Sequence, residues 1–331
     1  LKGGTVQISA SAGMTFFPRD GEDGVALLKH ADLAMYAAKD KGRNQCCEFV
    51  PAMEQEAQER RLLLRDLQQA LDEGEFTLHY QPIVDMHTRR TVKAEALLRW
   101  QHGVRGQVSP AQFIPLAEES GLIAPLGDWV FQEAARQLAQ WRAELDPALQ
   151  MNVNVSPVQL HSGGQQAQTW LQHLQGLQLP ANALAMELTE YVLMEASQET
   201  SATLQTLQAA GMQLALDDFG TGYSSLSYLK RLDIDYLKID RSFVNQLAQG
   251  NEDNVLCKAI IVMAHQLGIR VVAEGVETQE QHDILRAAGC DYGQGYWYCR
   301  PVSAENFSAR LREERSLHAG ADDPALMEAA I

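Results

Sequence analysis

Long apolar runs, positive charge and patterned cysteines are all scarce in this chain. No stretch reaches about 18 consecutive apolar residues, so no segment reads as a membrane-spanning helix. Lys and Arg number 27 against 43 Asp and Glu, a formal net charge of -16 at pH 7. Such a field repels polyanions and argues against DNA or RNA as partners. A small phosphate ligand stays compatible if metal ions or a local Arg or Lys offset the carboxylates. The five cysteines (Cys46, Cys47, Cys257, Cys290 and Cys299) are odd in number and lack zinc-type spacing. They read as reduced thiols of a cytoplasmic protein. The chain opens at Leu1 without a signal-like segment. The expectation is a piece of something longer, with any sensor or membrane anchor upstream.

What is present is globular. Hydrophobic residues make up 46% of the 331 and charged residues 21%. Residues 1–50 read as strand, strand, helix and short strand, with a β-friendly stretch at Thr5–Ser11 and a helix over Val25–Lys41. Gly42 stands where a left-handed C-cap is needed. Fifty residues are few for an independent core. A helix over 53–73 follows. Its charged start, within 51–62, reads as a linker, and Leu62, Leu63, Leu64, Leu67 and Leu71 begin the next domain. Residues 315–331 read as a polar tail.

Between them, β-rich runs alternate with helices: Phe76–Val84, Thr91–Trp100, Gln150–Val155, Leu184–Thr189, Gln213–Asp217, Tyr236–Ile239, Arg270–Ala273 and Asp291–Tyr298. Ser109-Pro110-Ala111-Gln112 and Thr278-Gln279-Glu280-Gln281 read as capping boxes at helix starts. Eight strands alternating with helices over 63–314 predict an α/β fold of the (β/α)8 TIM-barrel type. An open doubly wound sheet would look similar, but no Gly-rich phosphate loop follows the first strand.

Polar residues punctuate these strands near their carboxyl ends: Glu95, Asn154, Glu187, Asp217, Lys238, Glu274 and Gln294. Successive gaps are 59, 33, 30, 21, 36 and 20 residues, most of them about one βα unit. In a barrel these ends converge at the mouth, where active sites lie. One such acid reads as an ordinary N-cap. A whole series does not, because charge in apolar strands is costly unless paired or metal-bound. The ligand set is oxygen-only, with four or five carboxylates and one amide, which suits Mg²⁺ or Mn²⁺. Two divalent cations bridged by Asp217, with Asp218 reaching the second, would let the carboxylates ionise together. Lys238 adds a positive charge for a phosphate or the attacking water, or serves as counter-ion to Asp240 or Glu274.

These stretches, from Glu95-Ala96-Leu97 through Asp217-Asp218-Phe219-Gly220 to Glu274-Gly275-Val276-Glu277, resemble the EAL domain, the barrel of cyclic di-GMP phosphodiesterases. The resemblance implies Glu95, Asn154, Glu187 and Asp217 at the first metal, and Asp217, Asp218 and Glu274 at the second. It implies that Lys238 and Glu274 activate or orient the hydrolytic water. Gln81, Leu97, Arg99, Asp240, Glu277 and Gln294 are implied to hold substrate. Glu190 matches the residue that anchors the Asp218–Tyr228 loop and couples dimerisation to metal binding, so a homodimer is expected. Ca²⁺ is expected to bind without supporting turnover. The first barrel strand is expected to run antiparallel to the rest. Minor departures are Asp233, in place of a more usual Pro, and the bulky Trp297-Tyr298-Cys299.

Residues 1–50 resemble the last third of a GGDEF (diguanylate cyclase) domain through Ile8–Gly13, Ala31-Asp32-Leu33-Ala34-Met35-Tyr36 and Gly42-Arg43-Asn44. That family's signature loop and metal ligands are absent, so no cyclase activity is expected of this chain. Three other readings compete with hydrolysis of cyclic di-GMP to linear pGpG. They are a receptor that binds cyclic di-GMP without cutting it, a purely structural partner domain, and a metal-dependent barrel lyase. A receptor or a structural domain would not need the intact ligand set.

Overall fold

The computed structural model describes residues 8–161, 165–190, 197–220, 233–247 and 252–319. The chain divides into two compact units, 1–73 and 74–331. No described helix is long and apolar enough to cross a membrane.

In the first unit, β1 (Ala12–Met14) pairs in parallel with β2 (Cys46–Glu48), and helix α1 (Gly24–Asp40) crosses between them. The strand therefore lies just after Thr5–Ser11, and a single strand, not two, precedes the helix among the described residues. Gly13 fixes its place: a Cβ there would stand 1.9 Å from the Ala31 carbonyl oxygen, so only glycine lets strand meet helix. Asp23 caps α1 through the Ala26 amide, and Gly42, at φ 101°, ends it as the sequence predicts. Helix α2 (Pro51–Ala70) opens on proline and buries Met53 against Ala34 and Phe49.

The second unit is a closed barrel of eight strands: β3 (Phe76–Asp85), β4 (Thr91–His102), β6 (Gln150–Asn154), β7 (Leu184–Thr189), β8 (Gln213–Phe219), β9 (Tyr236–Ile239), β10 (Arg270–Ala273) and β11 (Tyr292–Gly293). Neighbours pair in parallel except β3, which runs antiparallel to both β4 and β11 and closes the ring. A short β5 (Gly106–Val108), absent from the sequence reading, pairs with the outer end of β4. The last strand is far shorter than Asp291–Tyr298. After Gly293 the backbone turns to bond across to the next loop, with the Val276 amide on the Gln294 carbonyl and the Trp297 amide on the Val276 carbonyl, 3.0 Å each.

The barrel strands are apolar runs buried on both faces, as parallel strands require. Outside them pack α3 (Pro110–Ser120), α4 (Ile123–Glu144), α5 (Gln165–Gly176), α6 (Gln198–Ala209), α7 (Arg241–Val244), α8 (Glu252–Gln266), α9 (Gln279–Ala287) and α10 (Ala304–Ala319). Helix α4 buries Ile123, Leu126, Val130, Phe131, Ala134, Leu138 and Trp141, a stripe at helical spacing. Phe131 stacks on Trp170 at 4.3 Å, and Trp141 lies between Tyr80 and Phe307 at 4.7 and 4.6 Å. The Thr278 capping box forms in full on α9. The one proposed at Ser109 does not: its side chain makes no cap hydrogen bond, and its carbonyl accepts the Gln112 amide at 2.9 Å instead. At the floor of the barrel, the Lys93 amine lies 3.2 Å from the Tyr236 ring centroid, and Gln150 donates to Gln213 at 2.8 Å.

Candidate active site

Carboxylates converge on one lysine at the carboxyl ends of the parallel strands. Lys238, on β9, is 1% exposed. Its Nζ lies 2.6 Å from Glu274, 2.8 Å from Glu187, 3.3 Å from Asp217 and 3.6 Å from Glu95. These come from β4, β7, β8 and the end of β10, so barrel closure itself brings them together. The counter-ion role for Lys238 is thus real and broader than a pairing with Asp240 or Glu274.

Each acid is held by its own partners. Glu95 accepts from Asn154 at 2.7 Å and from Gln294 at 2.5 Å. Gln294 also donates to Gln81, and Gln81 donates to the Cys299 carbonyl, at 3.1 and 3.0 Å. Glu187 accepts from Asn152 at 2.7 Å. Asn152 escaped the sequence reading because it lies one alternation below Asn154 and looks like a spare polar residue. Asp217 and Asp218 sit where the β8–β9 register slips between Leu216 and Phe219. The irregularity swings both toward the mouth, with Asp218 in the left-handed region at φ 54°.

Five carboxylates around one ammonium leave the site short of positive charge. Burial, then the neighbouring Glu95, holds the Glu187 carboxyl well above its ordinary range. Burial outweighs Lys238 at Glu274 and pushes it up to about 7. Burial and Asp217 raise Asp218. Glu95 goes the other way: burial would raise it, but Lys238, Gln294 and Asn154 together hold it below its usual value. Lys238 stays firmly protonated, because the surrounding acids overcome its burial. Oxygen atoms of Asp217, Asp218 and Glu274 all lie within 4.8 Å of one another. A crowded, oxygen-only set with an unbalanced negative charge fits divalent hard cations.

Above this cluster opens a cleft of about 250 Å³ lined by Gln81, Glu95, Asp217, Glu274, Glu277 and Gln294, together with Arg241, Gly275, Gly295 and Tyr296. Of the expected substrate residues, Gln81, Glu277 and Gln294 face it. Leu97, Arg99 and Asp240 lie outside its lining. Arg99 donates to the Leu98 carbonyl at 2.8 Å, and Asp240 caps α7 through the Ser242 amide at 3.0 Å. Arg241 and Tyr296 are functional candidates that the sequence reading missed. Each follows a recognised motif by one or two residues, and that adjacency was the available signal. Gly275, at φ 69°, lets the β10–α9 turn approach Arg241: a Cβ would come 2.5 Å from that of Arg241. Glu190 has both carboxylate oxygens buried without a hydrogen bond among the described residues. The Asp218–Tyr228 loop assigned to it lies, from residue 221 onward, outside the described residues.

Residues 64–301 match the EAL domain family. The chain belongs to that family. Residues 1–45 match the family described as "Diguanylate cyclase, GGDEF domain", a remnant of 45 residues preceding the EAL barrel. Among curated relatives, the bifunctional diguanylate cyclase/cyclic di-GMP phosphodiesterase MucR of Pseudomonas aeruginosa is 42% identical over 309 residues, covering 92% of this chain and 44% of its own length. The cyclic di-GMP phosphodiesterase PdeR of Escherichia coli is 40% identical over 304 residues, covering 91% of this chain and 45% of its own. The chain therefore spans less than half the length of these curated relatives. Among solved structures, the MucR phosphodiesterase of Pseudomonas aeruginosa in complex with cyclic di-GMP superposes with a TM-score of 0.71 at 41% identity, covering 74% of this chain and 99% of that one. EAL-domain phosphodiesterases depend on divalent metal, and the acidic cluster of this EAL barrel stands in the corresponding mouth.

Proposed function

We propose that this EAL domain hydrolyses one phosphodiester bond of cyclic di-GMP and releases linear pGpG. The observation that carries the reading is the complete ring of Glu95, Glu187, Asp217 and Glu274 around the buried Lys238. Relatives named as cyclic di-GMP phosphodiesterases, and a homologous barrel holding cyclic di-GMP, support it. A receptor that only binds would not need this ring intact.

Glu95, Asn154, Glu187 and Asp217 would hold one divalent cation, and Asp217, Asp218 and Glu274 a second, Mg²⁺ or Mn²⁺ in each case. Bound there, such cations polarise a phosphoryl group and acidify water at neutral pH. The chain's own residues do the rest. Gln294 and Asn154 fix the two oxygens of Glu95, and Asn152 fixes Glu187, so the ligands are preorganised. Lys238 keeps the carboxylates from repelling one another apart and supplies the positive charge at the centre of the ring. Glu274, 2.6 Å from the Lys238 Nζ, would act together with Lys238 to activate or orient the attacking water. Gln81, Glu277 and Gln294 contact the substrate from the cleft wall. Leu97, Arg99 and Asp240, assigned to substrate by the family resemblance, lie outside that wall and would reach the substrate only at its periphery.

The test is direct. Purified protein with Mg²⁺ or Mn²⁺ should convert cyclic di-GMP to pGpG, stop on addition of EDTA, and lose all turnover in Glu95→Ala, Asn154→Ala and Asp217→Ala. Binding without turnover in either metal would favour the receptor reading, and full activity in metal-free buffer would exclude the metal assignment. The working form is taken to be a homodimer, with Glu190 coupling assembly to the metal site.

A further inference from the structure

Tyr296 is a large aromatic residue that the fold holds at the rim of the cleft without burying it. It is 51% exposed and lines the cleft beside Glu277 and Gln294. Its hydroxyl makes no hydrogen bond among the described residues, so the ring is not held there for its polar end. One face is taken: the Arg300 guanidinium carbon lies 4.1 Å from the ring centroid, a cation–π stack.

The backbone under the ring is pinned from both sides. The Gln294 amide bonds to the Ala273 carbonyl at 2.8 Å, and the Trp297 amide bonds to the Val276 carbonyl at 3.0 Å. The Tyr298 and Cys299 amides both bond to the Gly295 carbonyl at 3.1 Å. Gly295 itself passes so close that a Cβ would stand 2.1 Å from the Val276 carbonyl oxygen and 2.3 Å from its amide nitrogen. Neither backbone atom can yield, so the turn fixes the main chain from which Tyr296 projects. A half-exposed ring, backed by a cation and mounted on a rigid turn beside the cleft, has one remaining face. Aromatic rings in such positions gain most from a flat π partner.

We propose that Tyr296, braced by Arg300, is the stacking platform for one guanine base of the substrate. It sets affinity for the cyclic dinucleotide and leaves the chemistry at Lys238 and Glu274 untouched. This rests on the reading of cyclic di-GMP as the ligand. Stacking uses the face of a base and not its edge, so the platform holds guanine and adenine alike. Discrimination between them belongs to groups that meet the base edge.

Equilibrium dialysis of labelled cyclic di-GMP with Ca²⁺ present, alongside steady-state kinetics with Mg²⁺, tests the proposal. Tyr296→Ala should raise Kd and KM roughly 5- to 150-fold, the range for losing one stacked base, with kcat within about twofold. Tyr296→Phe should restore wild-type affinity. Cyclic di-AMP should weaken by the same factor as cyclic di-GMP. Tyr296→Leu, which keeps the bulk and loses the π-face, should match Ala and guards against misfolding of the smaller variant. Affinity within twofold of wild type in Ala and Leu, or a loss in Phe equal to that in Ala, overturns the platform. Wild-type protein that binds cyclic di-GMP without cutting it overturns the hydrolytic reading while these Kd values still judge Tyr296. Wild-type protein that does not bind it overturns both.

Discussion

Replacing Lys238 by Met should cost the metal-free barrel about 4 kcal/mol at neutral pH, and that cost should melt away in acid. At an effective dielectric near 20, each carboxylate 2.6–3.6 Å from Nζ attracts it by about 5–6 kcal/mol. Most of that gross attraction only offsets the desolvation of the ammonium. Removing one partner of a buried ion cluster costs a net of about 3–5 kcal/mol. An independent limit comes from proton uptake. The orphaned acids can relieve themselves by protonating one glutamate, which at pH 7 costs about 3.7 kcal/mol for a carboxyl of reference pKa about 4.3. The sign follows from linkage. In the variant, the folded-state carboxyls sit above their unfolded values, so the folded protein takes up the extra proton. The deficit then shrinks as pH falls, by less than the roughly 1.4 kcal/mol per unit of a one-proton difference, because Glu274 of the wild type, raised to about 7, takes up a proton over the same range. Urea denaturation of the barrel in EDTA, wild type against Lys238→Met, at pH 7.0 and 5.5, measures both numbers. A deficit below about 1 kcal/mol, or one unchanged between the two pH values, refutes the claim that Lys238 neutralises the cluster.

Arg241→Ala should raise KM for cyclic di-GMP about 10-fold with kcat little changed, because it removes a cleft-facing charged donor that is not a metal ligand; added salt should blunt the difference in steady-state assays. His282 is buried, with Nδ1 2.8 Å from the Tyr298 hydroxyl, and burial, then Arg89, depresses its pKa below the usual value of about 6.5. Its unfolded form therefore takes up a proton first as pH falls, so stability should drop below about pH 6.5, and His282→Gln should flatten that part of a Tm-against-pH curve. Glu190→Ala should weaken Mn²⁺ affinity and activity together, although Glu190 is no ligand. Sedimentation across a dilution series with parallel assays checks this, and a strictly monomeric, fully active protein would rule out the coupling.

Sequence and structure part company at instructive places. Leu184–Thr189, Tyr236–Ile239 and Arg270–Ala273 were legible to the residue, because runs buried on both faces are mostly apolar, with the polar residues of the mouth falling within or just after them. Asp291–Tyr298 was not. Its aromatic residues read as strand, but Gly295 is there to let two loops touch, and that contact is made by a segment about twenty residues earlier in the chain. Ser109 has the right composition for a capping box, yet the backbone carbonyl takes the amide that its side chain would have accepted. At the site, strand-end acids announce themselves by spacing. Arg241 and Tyr296 do not, since one opens a short helix and the other sits in a turn, and both are brought to the mouth only when the barrel closes. Asn152 was hidden for a different reason: its importance lies in the single hydrogen bond to Glu187, and a pattern of residue types carries no bond.

The inverted β3 has a consequence for how this barrel is wired. In an all-parallel barrel, the polypeptide enters at the end opposite the chemistry. Here Phe76 pairs with Trp100, at the outer end of β4, so the chain enters on the catalytic side. Gln81, whose amide meets both Gln294 and the Cys299 carbonyl, comes only seven residues after Gly74, about 23 Å of extended backbone. A pull, twist or register slip arriving along the incoming chain meets the substrate cleft first and the barrel floor last. The entry point works as a tether fastened at the business end, so a mechanical input needs no relay through the barrel to reach the site.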